Sequence, residues 1–330
     1  SSAASDVYKR QELNNMYNNS SDMVVVSVLM PTYNHENFIA ESIKSFLRQE
    51  VKFDIELLIG DDCSTDQTSS IALSFAEQYP SKIHYFHYNE NRGLMQNYKY
   101  LLEHAKGKYI AILESDDVWL DCLKLQKQVD IFEKNKNVGL VCSNWYVIDE
   151  KSKKIEESKV SLSNNYSELL KANFMAAVTV LFSRQLFNKY CNIDDYIKFK
   201  FKTFDYPVWL SISAHSDIIY LTDYTAGYRC LSTSISNSND IRKSQEFNES
   251  IDEITSYIIE KYGSGDLSLK ELQNAKRWRY MIQYLFHGHL YAAFKEAISF
   301  KVIDRKTFFI KYFSLVWFFR NRQFWRKRIR

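Results

Sequence analysis

Glu114, Ser115, Asp116 and Asp117 stand in a row just after the apolar run Tyr109 to Ile112, in the stretch YIAILESDDVWL. The run suits a buried strand. Three carboxylates at the end of such a strand repel one another unless a cation sits among them. Oxygen-only ligands suit a hard divalent ion, Mn²⁺ or Mg²⁺. The plain alternative is an acidic turn leading into a helix cap, since Asp favours both. In an open α/β sheet, ligands lie beyond the carboxyl ends of the strands, so the position of this turn agrees with the chemistry.

Two further strand ends carry polar residues. Residues 23–30, MVVVSVLM, form a nearly continuous β-branched run, as in a strand buried on both faces. Pro31 is expected to end it, and Thr32, Tyr33 and Asn34 follow as a polar loop. A helix on Ile39, Ile43, Phe46 and Leu47 comes next. Residues 54–59 repeat the pattern, with Gly60, Asp61, Asp62 and Cys63 opening the loop and Thr65 or Asp66 capping a helix over residues 68–79. A strand over 83–87, a turn at Asn91, Arg92 and Gly93 and a helix over 94–104 lead to the strand at Tyr109. This alternation predicts a doubly wound α/β sheet. Parallel neighbours would bring the three polar ends to one edge, where a nucleotide could lie. Asp61 or Asp62 could accept hydrogen bonds from a base or ribose, and Asp116 or Asp117 could hold a metal on a diphosphate.

Further on, the pattern predicts a helix over 123–135, a strand over 138–145, a charged loop over 151–159 and a strand over 177–182. A helix over 206–214 and two short strands, 218–221 and 225–230, follow. Residues 232–240 have linker composition, and the chain from 241 onward reads as helical. Residues 1–22 are polar and without periodicity and read as a disordered leader. Residues 308–319 are apolar and aromatic but too short to span a membrane. Six Arg and Lys residues crowd the chain end after them. This tail suits either a helix packed on the domain or peripheral contact with an anionic membrane face.

The 330 residues are enough for one large α/β domain with an appendage, and 8 Gly and 3 Pro argue against a turn-rich all-β fold. A net charge of +3 gives no ground for a nucleic-acid partner. The 5 cysteines are widely spaced, with no CxxC pair, so neither a disulfide framework nor a zinc site is expected. Reduced thiols in a cytoplasmic compartment are the simplest account. No signal-peptide pattern opens the sequence.

In order and spacing, four segments resemble family 2 glycosyltransferases of the GT-A fold: VSVLMPTYNHENFIAESIKSFLRQ, LLIGDDCSTDQT, NENRGLMQNY and GKYIAILESDDVW. The resemblance covers residues 24–236. It implies a Rossmann-like, mostly parallel sheet flanked by helices, with residues 23–236 as the transferase domain and 237–330 as a C-terminal helical region. It also implies inverting transfer of a sugar from a nucleotide-sugar donor, such as a UDP-sugar, to a glycan or lipid-linked acceptor in surface polysaccharide synthesis, with Mn²⁺ or Mg²⁺.

Carried over residue by residue, the resemblance places Thr32, Tyr33 and Glu36 beside the base and ribose. Asp62 becomes the base- or ribose-binding carboxylate, and Arg92 and Asn97 approach the nucleotide and sugar. Glu114-Ser115-Asp116 stands where the family has DxD, with Glu adding one methylene at the first position. Asp116 and Asp117 are the metal candidates. Inverting transfer needs a general base for the acceptor hydroxyl, and Asp205, followed by Trp209, fits the family's late Asp. Thr203 and Phe204 stand where an acidic neighbour is expected. Asp205 would also suit a helix start with Pro207 in the first turn. Asp194 and Asp195 are reserve candidates. Arg229, in GYRCLSTSIS, matches a segment that closes near the diphosphate, where a guanidinium fork grips phosphate oxygens. A nucleotidyltransferase is a competing reading, but the loop PTYNHEN has neither Gly nor Lys to cradle phosphate. A module that binds nucleotide-sugar without transfer is the third.

Overall fold

The computed structural model describes residues 24–158, 165–231 and 240–299. The expected leader, the linker over most of 232–240 and the basic aromatic tail lie outside these residues. Among the described residues nine strands form one sheet in the order β3-β2-β1-β4-β8-β6-β9-β5, with β7 beside β6. The strands are β1 (Val26–Thr32), β2 (Ile55–Asp61), β3 (Ile83–His87), β4 (Tyr109–Ile112), β5 (Val118–Trp119), β6 (Val138–Ile148), β7 (Lys154–Glu157), β8 (Leu181–Ser183) and β9 (Asp217–Arg229). β3, β2, β1 and β4 run parallel, and β8 turns antiparallel between β4 and β6.

The β-branched runs are continuous because both faces of the sheet are covered. Along β1, Val26, Val28 and Met30 enter one core with Ile39, Ile43 and Phe46 of α1 (Ile39–Leu47), Ala72 of α2 (Thr68–Gln78) and Leu125 and Val129 of α4 (Lys124–Lys134). Leu29 points the other way, into a core with Tyr98 and Leu101 of α3 (Leu94–His104). Strand alternation thus feeds two apolar layers. The second layer includes α8 (Asp205–Ser213), in which every residue from Tyr206 to Ser213 is buried. It also takes Ile251, Ile254 and Ile258 from α9 (Ile241–Tyr262). Short helices α5 (Tyr166–Lys171), α6 (Arg184–Tyr190) and α7 (Ile193–Lys198) complete that side. Then α10 (Leu269–Phe286) and α11 (Leu290–Ser299) share a small core of Met281, Leu285, Ala293 and Ala297.

Several expectations need correction. β1 runs through Pro31 to Thr32, because a proline one residue from a strand end removes a single ladder donor. The 151–159 loop contains β7, a strand exposed at every position and so without an apolar signature. Residues 177–179 form a 3₁₀ turn before the short β8. The two strands expected after 217 are one strand, β9, whose register against β6 shifts around Ser143 and Asn144. Gln67, not Thr65 or Asp66, is the cap residue of α2, although Asp66 Oδ1 accepts from Thr68 N at 2.9 Å. All five cysteines are free thiols.

Candidate active site

Register sets the site. Thr32 pairs with Asp61, and Asp61 with His87, so three parallel strands end level. β4 stops beside Leu29, and Leu113 N donates to Leu29 O at 3.0 Å, which turns the chain across the same edge. The acidic turn follows, closed by Asp117 N donating to Glu114 O at 2.9 Å. β5 then pairs antiparallel with β9, Val118 opposite Gly227, and brings Arg229 under the turn.

Glu114, Asp116 and Asp117 each place a carboxylate oxygen within 4.8 Å of the other two. Burial pushes Glu114 up to about 7, with the Asp116 charge adding to it and a hydrogen bond from Tyr98 opposing it. Burial also raises Asp116, against the charges of His35 and Arg229. Asp117 lies well above its ordinary range, through burial and then the charges of Asp116 and Glu114. The turn is therefore short of positive charge. A tight, oxygen-only donor set of this kind fits a hard divalent cation such as Mn²⁺ or Mg²⁺. Among the described residues it is the one cluster of this type.

Neighbouring segments hold the turn. Ser115 Oγ lies 2.7 Å from Thr32 Oγ1 and 2.7 Å from His35 Nδ1. Thr32, expected beside the nucleotide, is buried with its hydroxyl spent on Ser115, whereas Tyr33 beside it is exposed. Glu36 accepts from Gln67 N at 2.9 Å and so braces the second loop. His35 belongs to the site although nothing in its type or spacing marked it. The available sign was its place in the loop between Tyr33 and Glu36.

Arg229 departs from expectation. Its side chain is fully buried, at 0% exposure. Nε donates to Asp116 O at 2.6 Å, and Nη1 to Asp149 O at 2.7 Å. Nη2 donates to Glu41 Oε2 at 2.9 Å and Ser152 Oγ at 3.1 Å. Its backbone N donates to Asp117 Oδ1 at 2.8 Å. With those donors committed, the guanidinium braces the turn from behind rather than facing a phosphate.

On the second strand end, Asp61 is held by Ser64 N, Ser69 Oγ and Tyr85 Oη, and these hydrogen bonds outweigh burial to lower its pKa. Asp62 accepts from Arg92 N at 2.7 Å and Gly93 N at 2.9 Å, fixing the turn before α3. Gly93 has φ 84°, a conformation glycine adopts without strain. The Arg92 side chain is half-exposed over the Tyr88 ring. Asn97 is buried and donates to Gly60 O at 2.7 Å, so it supports β2 instead of reaching toward a ligand.

Asp205 opens α8. Thr203 Oγ1 donates to its Oδ1, and Asn173 Nδ2 donates to its Oδ2 at 3.0 Å. Burial raises its pKa, with the Thr203 hydroxyl the largest opposing influence. Its charge also acts on Glu114, so the two belong to one electrostatic neighbourhood. Physical contact runs through Tyr98, whose hydroxyl donates to Glu114 Oε1 at 2.9 Å and whose ring stacks on Phe204. The reserve residues are engaged elsewhere: Asp194 pairs with Lys99 at 2.7 Å, and Asp195 accepts from Tyr257 Oη at 2.9 Å.

A parallel-to-mixed sheet with an acidic turn at its carboxyl edge defines the GT-A class of nucleotide-sugar transferase folds. The chain matches the family described as Glycosyl transferase family 2 over residues 27–191, half its length, and it belongs to that family. It is similar to an Escherichia coli protein named UDP-Glc:alpha-D-GlcNAc-diphosphoundecaprenol beta-1,3-glucosyltransferase WfgD, 32% identical over 66% of this chain and 80% of that protein. An uncharacterized protein of Mycobacterium tuberculosis is 34% identical over 48% of this chain, and the match spans 47% of that relative's length. In fold the chain is similar to a mannosyltransferase of Pyrobaculum calidifontis solved with GDP-Man and Mn²⁺. The TM-score is 0.55 at 18% identity, covering 84% of this chain and 75% of that one. No helix among the described residues is long and apolar enough to cross a membrane.

Proposed function

We propose that this chain is an inverting glycosyltransferase that moves a sugar from a UDP-sugar to a hydroxyl of a lipid-linked glycan. One observation carries the reading: Asp205, a carboxylate raised by burial, and the acidic turn meet across Tyr98 at one edge of the sheet. Donor and acceptor class are supported by the name of the Escherichia coli relative.

In this reading Asp116 and Asp117, with Glu114, hold a divalent cation, which when bound offsets charge on the departing diphosphate. Exposed Tyr33 and the half-exposed Arg92 border the nucleotide. The acceptor oxygen attacks the anomeric carbon as the bond from that carbon to the diphosphate oxygen breaks. Its proton passes to an Asp205 oxygen, and the nucleoside diphosphate leaves on the opposite face. Burial raises the Asp205 pKa, which makes it a stronger base than an exposed carboxylate. The Asp205→Asn variant tests this: nucleoside diphosphate release should fall by about 10²–10⁴-fold while UDP affinity by calorimetry stays near wild type. Full transfer by that variant would overturn the assignment.

A further inference from the structure

We propose that Asn173 and Thr203 are positioning residues that hold the Asp205 carboxylate in one plane and present it to the acceptor hydroxyl; the inference rests on the reading of Asp205 as the base. Two arms from different segments reach the same carboxylate, one per oxygen: Asn173 Nδ2 to Oδ2 at 3.0 Å and Thr203 Oγ1 to Oδ1. The backbone N–H groups of Tyr206 and Asp205 also favour its charged form.

The Asn173 amide has a fixed sense. Its Oδ1 accepts from Met175 N at 3.1 Å, so a flip would lose that bond and the bond to Asp205 together. Asp205 is also the first residue of a helix buried from Tyr206 through Ser213, so its backbone has no room to rotate. Asn173 itself is exposed.

The choice of donors has an electrostatic consequence. Three groups from the surrounding elements act on Asp205 or feel its charge: Glu114 of the acidic turn, Tyr98 of α3 and Tyr206 on its own helix. Glu114 and burial both disfavour the ionised form. An acidic neighbour at position 203 or 204 would disfavour it further. Two neutral side-chain donors do the reverse, favouring the charged form without an ion pair. Sequence spacing could suggest Thr203, two residues away, but Asn173 lies 32 positions off and becomes visible only through the fold.

The test uses the full chain with Asn173→Ala, Thr203→Val, both together, and Thr203→Ser as the variant that keeps the hydroxyl. Asp205 is followed by NMR of ¹³C-labelled aspartate, assigned by its loss in Asp205→Asn. Its titration should move up by at least about half a pH unit in each single variant and further in the pair. Thr203→Ser should titrate as wild type. With UDP-glucose and GlcNAc-diphosphoundecaprenol as probes, kcat should fall about tenfold per single variant. The acid limb of the rate profile should shift upward, and UDP affinity should not change. An unmoved Asp205 titration in the double variant overturns the proposal, as does a loss of kcat that only tracks lost folding stability. Dead Asp205→Asn with unaffected positioning variants refutes this inference alone, whereas active Asp205→Asn refutes the base assignment beneath it.

Discussion

Tyr98 joins the two halves of the proposed site: its hydroxyl donates to Glu114 Oε1 at 2.9 Å, and its ring stacks on Phe204 with centroids 4.1 Å apart. Tyr98→Phe removes the first contact and keeps the second. The lost hydrogen bond to a carboxylate is worth about 1.5–3 kcal/mol. That bond lowers the Glu114 pKa, so without it Glu114 rises further above about 7 and stays protonated to higher pH. Mn²⁺-supported nucleotide binding, measured by calorimetry from mildly acidic to mildly alkaline pH, should then need more alkaline conditions than wild type. A wild-type pH dependence would show that Glu114 takes no part in cation binding.

The acidic turn also sets how stability varies with pH. Glu114, Asp116 and Asp117 all have folded-state values raised above their ordinary ones. The folded state therefore holds protons that the unfolded chain has released, and stability falls as pH rises through the window between the two. For Glu114 that window runs from its ordinary value of 4.5 to about 7. In chelator, thermal unfolding should occur at higher temperature near pH 5 than near pH 7.5, and the contribution of the turn is separable from that of other groups. Glu114→Gln separates these: it should flatten the slope, raise the melting temperature at neutral pH and reduce the stabilisation that Mn²⁺ gives. A steeper slope in that variant would sink the account.

Arg229 offers a direct contest between two roles. A lysine keeps the charge but cannot reach Asp116 O, Asp149 O and Glu41 together. If Arg229 is the buried brace that the geometry describes, Arg229→Lys should lose about 3 kcal/mol of stability in urea unfolding. The folded fraction should keep most of its affinity for UDP. Wild-type stability with UDP affinity lost would restore the phosphate-gripping role that its sequence context suggests.

These contrasts show what the sequence carries. β1, β2 and β4, buried at every position, and the helices between the parallel strands were legible because burial leaves a pattern in the residue types. β5, with two residues, and β7, exposed throughout, have no such pattern. The acidic turn and Asp205 were visible in the sequence as candidates, because carboxylates at element ends demand an account. Their supports were not. Tyr98, Asn173 and Glu41 act across 16, 32 and 188 positions on Glu114, Asp205 and Arg229, and their types are ordinary for a helix face or loop. Arg229 and Asn97 were expected to approach a ligand, and the structure shows their donors engaged with Asp116 O, Asp149 O and Glu41 and with Gly60 O, since spacing does not say which way a side chain turns.

Gly60 tests how tightly the second strand end is built. A Cβ there would lie 2.0 Å from Asn97 Oδ1 and 3.1 Å from Leu101 Cδ2, both on α3. Asn97 is tethered by its own bond to Gly60 O at 2.7 Å and is buried, so it cannot swing aside into solvent. Gly60→Ala must therefore push α3 away from β2, at a cost of about 1–3 kcal/mol. The same shift would move Tyr98, one residue along that helix, and with it the hydrogen bond to Glu114. We expect urea unfolding at lower midpoint together with a loss of transfer that exceeds the loss of folded protein. Pairing Gly60→Ala with Asn97→Ala, which vacates the space, should recover part of both. Failure of that second substitution to recover either would mean that the steric contact is not what fixes the helix.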